Sequence, residues 1–479
     1  MKTIKPEIQK KYFTSSTFGS MNLLPSTNST PAIHLSDLNI DYSLTTGGTS
    51  IYNHFLINTQ AVYALIDCNQ FYVSCERVFA PYLKNQPVGV LSNNDGCLVA
   101  LSPELKSLGI TRGTPAFQIP EKINGHKVFL FSSNYELYGD MSTRVMNILS
   151  SFSDSIEIYS IDEAFLLFKN VHESINLYEY GFAIRETVMK ATGIPISIGF
   201  AKTKTLAKIA NKIAKKTATG VFTLVQAEQI SNILKKIEVT DIWGVGRQHS
   251  KRLNKIGIYS AYDFVQTPIS WVRKEMAVNG ERTQLELKGI PCLDMEYASP
   301  QTKSIVCSRS FGKPVCSLNE LIEAVSQYTS NAVQNLRYKS LVARQLTVFI
   351  TTNPFKDTKQ YANFQQGKLA DYSAYTPDFI HLAISLLKEI FKETYLYKKT
   401  GVMLTDFIKQ ERIQPDLFNQ PYGTDRRHNV MLTVDKINAR YGKNKIFFAS
   451  DGIKNNWSMK REMVSQRYTT RWNELLIVK

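Results

Sequence analysis

The chain has 479 residues, with 57 Lys and Arg against 41 Asp and Glu, a formal charge of +16. That length exceeds one ordinary hydrophobic core and predicts two to four domains, while the positive balance favours a polyanionic partner such as nucleic acid or an anionic surface. Six cysteines, at 68, 75, 97, 292, 307 and 316, form no CxxC pair and no zinc spacing, which implies no structural metal and fits reduced thiols in the cytoplasm. No run reaches the roughly 18 apolar residues of a membrane span, and MKTIKPEIQKKYF lacks an apolar signal core, so a soluble protein is expected.

Residues 1–60 are rich in Ser, Thr and Asn without sustained periodicity and read as a poorly ordered extension, with Met21 a conceivable alternative start. The run 61–66, AVYALI, reads as a buried strand with Asp67 at its end. Strand and helix signals then alternate to about residue 225, broken by loops at 92–96 (SNNDG) and 111–115 (TRGTP). Within this stretch IEIYSIDEAFLLF, residues 156–168, reads as two strands whose turn lifts Asp162 and Glu163 out of a sheet.

Three carboxylates on adjacent strand ends, Asp67, Asp162 and Glu163, predict a site for two Mg²⁺ ions. Clamping both oxygens of an in-line displacement takes ions roughly 3.5–4 Å apart, and such ions require several hard oxygen ligands. The Cys68 backbone carbonyl is a further candidate ligand, since hard cations accept peptide oxygens. Tyr72, one turn on in DCNQFYVSCE, is placed to exclude a 2′-hydroxyl from an incoming nucleotide. Each motif alone is more economically a capping Asp, a solvated turn or a core aromatic; their combination is what points to phosphoryl chemistry.

The segment 200–216, FAKTKTLAKIANKIAKK, has six lysines and no acid. At helical spacing Lys204, Lys208, Lys212 and Lys215 share one face and are expected to reach outward to the phosphates of a triphosphate or of DNA, with Lys204 and Lys208 named as DNA contacts. Gly244-Val-Gly246 before SKRLNKIGI offers backbone amides to a DNA phosphate. Strand-like runs and amphipathic helices in 300–408 indicate a separate α+β domain. The remainder, 409–479, is loop-rich and basic, and in QPDLF the residues Gln414, Leu417 and Phe418 read as a docking peptide.

In chain order, DCNQFYVSCE, VLSNNDGCLVALSPELKSLGI, YSIDEAF, IGFAKTKTLAKIANKIAKK, IWGVGRQHSKRL, CSRSFG and QPDLF resemble the Y-family translesion DNA polymerases over roughly 61–479. The resemblance implies an α+β multidomain right hand. Palm would fall in 61–82 and 128–225, small fingers in 83–127, a helix-hairpin-helix thumb in 232–290, a little finger in 300–408, and a basic C-terminal region in 409–479.

It also implies error-prone transfer of dNMP from a dNTP to a primer 3′-hydroxyl during SOS mutagenesis. Asp67, Asp162 and Glu163 would be the metal ligands, assisted by the Cys68 carbonyl, and Tyr72 the steric gate. Lys106 and Lys215 would contact the triphosphate. Many relatives use a Tyr and an Arg where this chain has Pro103 and Lys106, and the lysine keeps the charge without the bidentate fork. The implied partners are primer-template DNA, the sliding clamp through QPDLF, a UmuD′-like dimer, and RecA. A nuclease or cyclase could use similar carboxylates, but Tyr72 and the thumb argue against both; the intact acids argue against a purely DNA-binding scaffold.

Overall fold

The structure is a computed structural model describing residues 61–169, 171, 175–297, 301–413, 424–442, 444–453 and 457–476. Residues 1–60, and Gln414, Leu417 and Phe418 of the expected docking peptide, lie outside these. The described chain forms two compact units, one from residues up to Pro87, Asn134–Ala298 and Gln466 onward, the other from Val88–Ser133 and Ser299–Ser465.

The first unit is built on a five-stranded sheet in the order Val221–Leu224, Ile196–Ala201, Val62–Cys68, Glu163–Phe168, Ile156–Ile158. Its central strand, VYALIDC, is buried at every residue, as befits a strand covered on both faces, and it continues through Asp67 and Cys68. The two neighbours of that strand are antiparallel to it, which places Asp67 directly opposite Glu163 on one side and Ser197 on the other.

The lysine-rich segment folds as the helix Lys204–Ala214, started by Thr203, whose hydroxyl accepts from the Leu206 amide. Leu206, Ile209 and Ala210 pack on the sheet. Asn211 donates from Nδ2 to the carbonyls of Leu65 (3.0 Å) and Ser197 (2.9 Å), fixing the rotation of the helix over the strand that carries Asp67. Buried amides seldom go unpaired, so this short polar side chain sets which lysines face the carboxylates.

The same core extends into the helices Arg247–Lys255, Ala261–Gln266 and Ile269–Leu287, through Leu253, Phe264, Val272 and Leu287. A turn at Gly257 (φ 83°) separates the first two, and a capping box between Ser260 and Asp263 starts the second. Inside the third helix Ala277 sits at φ 55°, ψ −163°, a region populated essentially by glycine. Ala277 is exposed, so Ala277→Gly is expected to stabilise the protein by about 1 kcal/mol, seen as a higher unfolding temperature in calorimetry; an unchanged or lower value would contradict strain at this position.

Among the described residues the second unit holds three sheets, of which the least is the two-stranded ribbon Lys122–Ile123 and His126–Lys127. Leu98–Leu101, Val88–Leu91 and Phe129–Ser132 form the smaller of the other two, with the last two strands parallel. The larger is antiparallel in the order Ile305–Val315, Tyr397–Lys409, Leu341–Thr352, Ala362–Ser373, and its apolar face packs on the helices Leu318–Tyr338 and Thr376–Ile390. The C-terminal region expected to be loop-rich contains an 18-residue helix, Thr424–Tyr441, docked by an Arg337–Asp435 ion pair at 2.7 Å. Its apolar residues are spaced thinly among charged and polar ones, so the helical period is faint in the sequence.

Candidate active site

The structure brings two of the three predicted acids together. Asp67 and Glu163 are cross-strand partners, so their side chains leave the same face of the sheet. Burial pushes the Asp67 carboxyl up to about 7; Lys215 pulls it down, and Glu163 adds to the rise. Two side chains from one helix segment supply compensating charge, Lys215 Nζ 2.6 Å from Asp67 Oδ2 and Lys208 Nζ 3.0 Å from Glu163 Oε2.

Asp162 is held differently. The Ser160 hydroxyl donates to Asp162 Oδ1 at 2.7 Å and accepts from the backbone amides of Asp162 and Glu163, so a serine turn holds its carboxylate. The turn lifts Asp162 out of the sheet as expected, whereas Glu163 is the first residue of the strand Glu163–Phe168. The Cys68 amide donates to the Asp162 carbonyl at 2.9 Å, which brings the backbone of the DC dipeptide against this turn. Among the described residues no three acidic, His or Cys side chains are grouped closely enough to enclose an ion as they stand. The donor set nevertheless fits a hard divalent cation: two crowded carboxylates already matched by ammonium groups, and a third on the adjoining turn.

Tyr72 lies in the first turn of the helix Phe71–Phe79, whose entry residue Gln70 adopts φ 42°. Its ring stacks on Tyr138 (centroids 4.4 Å apart, 17° between planes) and meets the edge of Tyr135 at 6.3 Å. Tyr138 is in turn anchored by its hydroxyl, which donates to the buried Glu76 carboxylate at 2.6 Å. Tyr72 is thus clamped by rings rather than submerged, while its neighbour Phe71 is a core residue.

The lysine stripe is corrected by the structure. Lys204 does not reach outward; it is 3% exposed, ion-paired with the buried Glu157, and its ammonium donates to the Asp294 carbonyl at 2.6 Å. Lys208 also turns inward, its head 4.2 Å from the ring centre of Tyr159 and 5.1 Å from that of Trp243, beside Glu163. Lys212 pairs with Asp241 at 2.6 Å on the surface, and Lys215 remains half-exposed. Sequence spacing put these lysines on one face correctly, but Glu157, 47 residues upstream, could not be matched to Lys204 without the fold.

Gly244 and Gly246 are exposed on either side of the buried Val245, just before the helix Arg247–Lys255. Gly244 has φ 93°, and a Cβ there would lie 3.1 Å from Thr283 Oγ1, so the turn requires glycine. Lys106 is exposed on the short helix Pro103–Ser107 of the second unit. Ser160, Tyr138 and Glu76 escaped the sequence reading. Of these only Ser160 carried a signal, as a hydroxyl residue two positions before Asp162 in a turn.

Comparison with known proteins bears on the same residues. Residues 66–212 match the impB/mucB/samB family and 302–417 its C-terminal domain, while 428–478 match a domain of unknown function. Protein UmuC of Salmonella typhimurium strain LT2 is 43% identical over 87% of this chain and 100% of its own length. Protein ImpB of Salmonella typhimurium is 41% identical over 86% of this chain and 99% of its own. A Y-family DNA polymerase chimera of solved structure superposes with a TM-score of 0.57, covering 72% of this chain and 99% of the chimera at 21% identity, which supports the fold. With the carboxylate pair and the ring-clamped tyrosine both falling within the matched region 66–212, the chain belongs to the impB/mucB/samB family, the UmuC-like branch of the Y-family translesion DNA polymerases.

Proposed function

We propose that this error-prone translesion polymerase transfers dNMP to a primer 3′-hydroxyl at a centre formed by Asp67, Asp162, Glu163 and the Cys68 carbonyl, which hold two Mg²⁺ ions. The ions supply Lewis-acid activation of the hydroxyl and neutralise charge on the triphosphate. The observation that carries this reading is the direct cross-strand pairing of Asp67 and Glu163, each matched by a lysine. Two carboxylates so close are costly unless positive charge sits between or beside them.

The protein's own groups do the positioning. Glu163 is oriented by Lys208, which the surrounding rings hold in place, and Asp162, held by Ser160 on the adjoining turn, would supply the third carboxylate to the ions. Lys215, the exposed lysine beside Asp67, meets the triphosphate, with Lys106 contributing from the fingers. The amides around Gly244 and Gly246 grip a DNA phosphate without reading sequence. Residues 61–82 and 128–225 serve as palm, 83–127 as fingers, 232–290 as thumb and 300–408 as little finger.

Gln414, Leu417 and Phe418 dock on the sliding clamp, a weak contact that gains from effective concentration once DNA is bound. A UmuD′-like dimer and RecA are the further partners, and the protein acts in the cytoplasm. No helix among the described residues is long and apolar enough to cross a membrane.

Tyr72 tests this reading at the sugar. Tyr72→Ala is expected to reduce discrimination against ribonucleotides by about 10²-fold, measured as the ratio of kcat/KM for dNTP and rNTP on one template. An unchanged ratio with normal dNTP incorporation would remove Tyr72 as the gate.

A further inference from the structure

The loop SNNDG and the C-terminal segment of unknown function are not used by the chemistry, yet they meet within the second unit. Asn94 and Asp95 adopt φ 61° and 49°, a left-handed pair that Asn and Asp tolerate better than most residues. Asn94 engages two separate segments at once: Nδ2 donates to the Ser310 carbonyl at 2.7 Å, and Oδ1 accepts from the Lys460 amide at 3.0 Å. Asp95 Oδ2 accepts from the Glu462 amide, also at 3.0 Å.

The contact continues along the smaller sheet. The Ser132 amide donates to the Met463 carbonyl at 2.9 Å, the Met463 amide donates to Ser132 Oγ at 3.0 Å, and Ser132 forms a parallel bridge with Val464. Residues 463–464 thus add a short edge to the strand Phe129–Ser132, the arrangement by which an extended segment joins an open sheet. Arg461 reinforces it by donating to the Ser133 carbonyl at 2.9 Å.

At its other end the segment is fixed to the larger sheet. Trp457 is 4% exposed and packs edge-on against Phe311 (6.2 Å) and Tyr328 (5.7 Å). The Ser458 carbonyl then passes over Gly312, where a Cβ would come within 2.9 Å of it. Trp457 is therefore a buried aromatic anchor, and residues 460–464 are a hydrogen-bonded lead that leaves it for the fingers.

We propose that residues 457–464 are an intramolecular tie that fastens the fingers to the little finger, and that the Ser92–Gly96 loop is its receptor. The tie makes 88–133 and 301–413 behave as one body, and it gives a role to part of the 428–478 segment. This assignment concerns the segment's own contacts and stands whether or not the metal ligands are correctly identified.

Hydrogen exchange on the full-length protein tests it with two variants. Asn94→Ala removes the receptor, whereas Lys460→Pro deletes one donor from the exposed tie and leaves the fingers untouched. In both, the amides of Ser132 and Met463 are expected to exchange about tenfold faster than in the wild type, while those of the palm strand Val62–Cys68 do not change. Unaltered exchange at Ser132 in Lys460→Pro would overturn the tie. Should Asn94→Ala unfold the fingers on its own, Lys460→Pro alone decides.

Discussion

Glu163→Ala is expected to lower primer extension about 10³-fold or more, equivalent to about 4 kcal/mol of lost transition-state stabilisation. Glu163 stands opposite Asp67 in the sheet, so its loss removes a proposed metal ligand while sparing the packing beneath it. Folding should survive, because one of two crowded carboxylates is gone and Lys208 keeps its place against Tyr159 and Trp243. The check is single-turnover extension alongside circular dichroism. Full activity in a folded Glu163→Ala protein would remove the residue from the catalytic centre, and a collapsed fold would show that it is structural.

Lys204→Ala should act on stability instead. Lys204 and Glu157 are both nearly inaccessible, and Glu157 also accepts the Glu296 amide at 2.8 Å. Deleting the lysine leaves a buried carboxylate uncompensated, a change that costs about 3 to 5 kcal/mol. The measurement is urea unfolding, followed by salt-dependent DNA binding of the folded fraction. Stability should fall while the salt dependence of binding keeps its slope. A stable variant whose slope falls by about one charge would restore Lys204 as a phosphate contact.

These two predictions show where the sequence was readable and where it was not. The strand carrying Asp67 could be seen because an uninterrupted apolar run has few other uses, and the IEIYSIDEAFLLF pair because a polar turn splits it. The two-unit division was less visible: Val88–Ser133 is interposed in the first unit yet packs with residues beyond 299, and contacts at that separation leave no local pattern. At the site, the charges could be read but not their direction. Lys204 and Lys208 look like solvated cations in a list, and only the fold supplies Glu157 and Glu163 to turn them inward. The seat of Tyr72 depends on Tyr138 and Glu76, neither of which the sequence singles out, because only the fold brings Tyr138 against Tyr72 and Glu76.

Extension of a primer across an abasic template, with Mg²⁺ and dNTPs, tests the central claim most directly. The wild-type chain, assayed with the proposed clamp, UmuD′-like and RecA partners present, is expected to add nucleotides opposite and beyond the lesion, and Asp162→Ala to add none. A shortened primer, or equal extension by the wild type and Asp162→Ala, would contradict it.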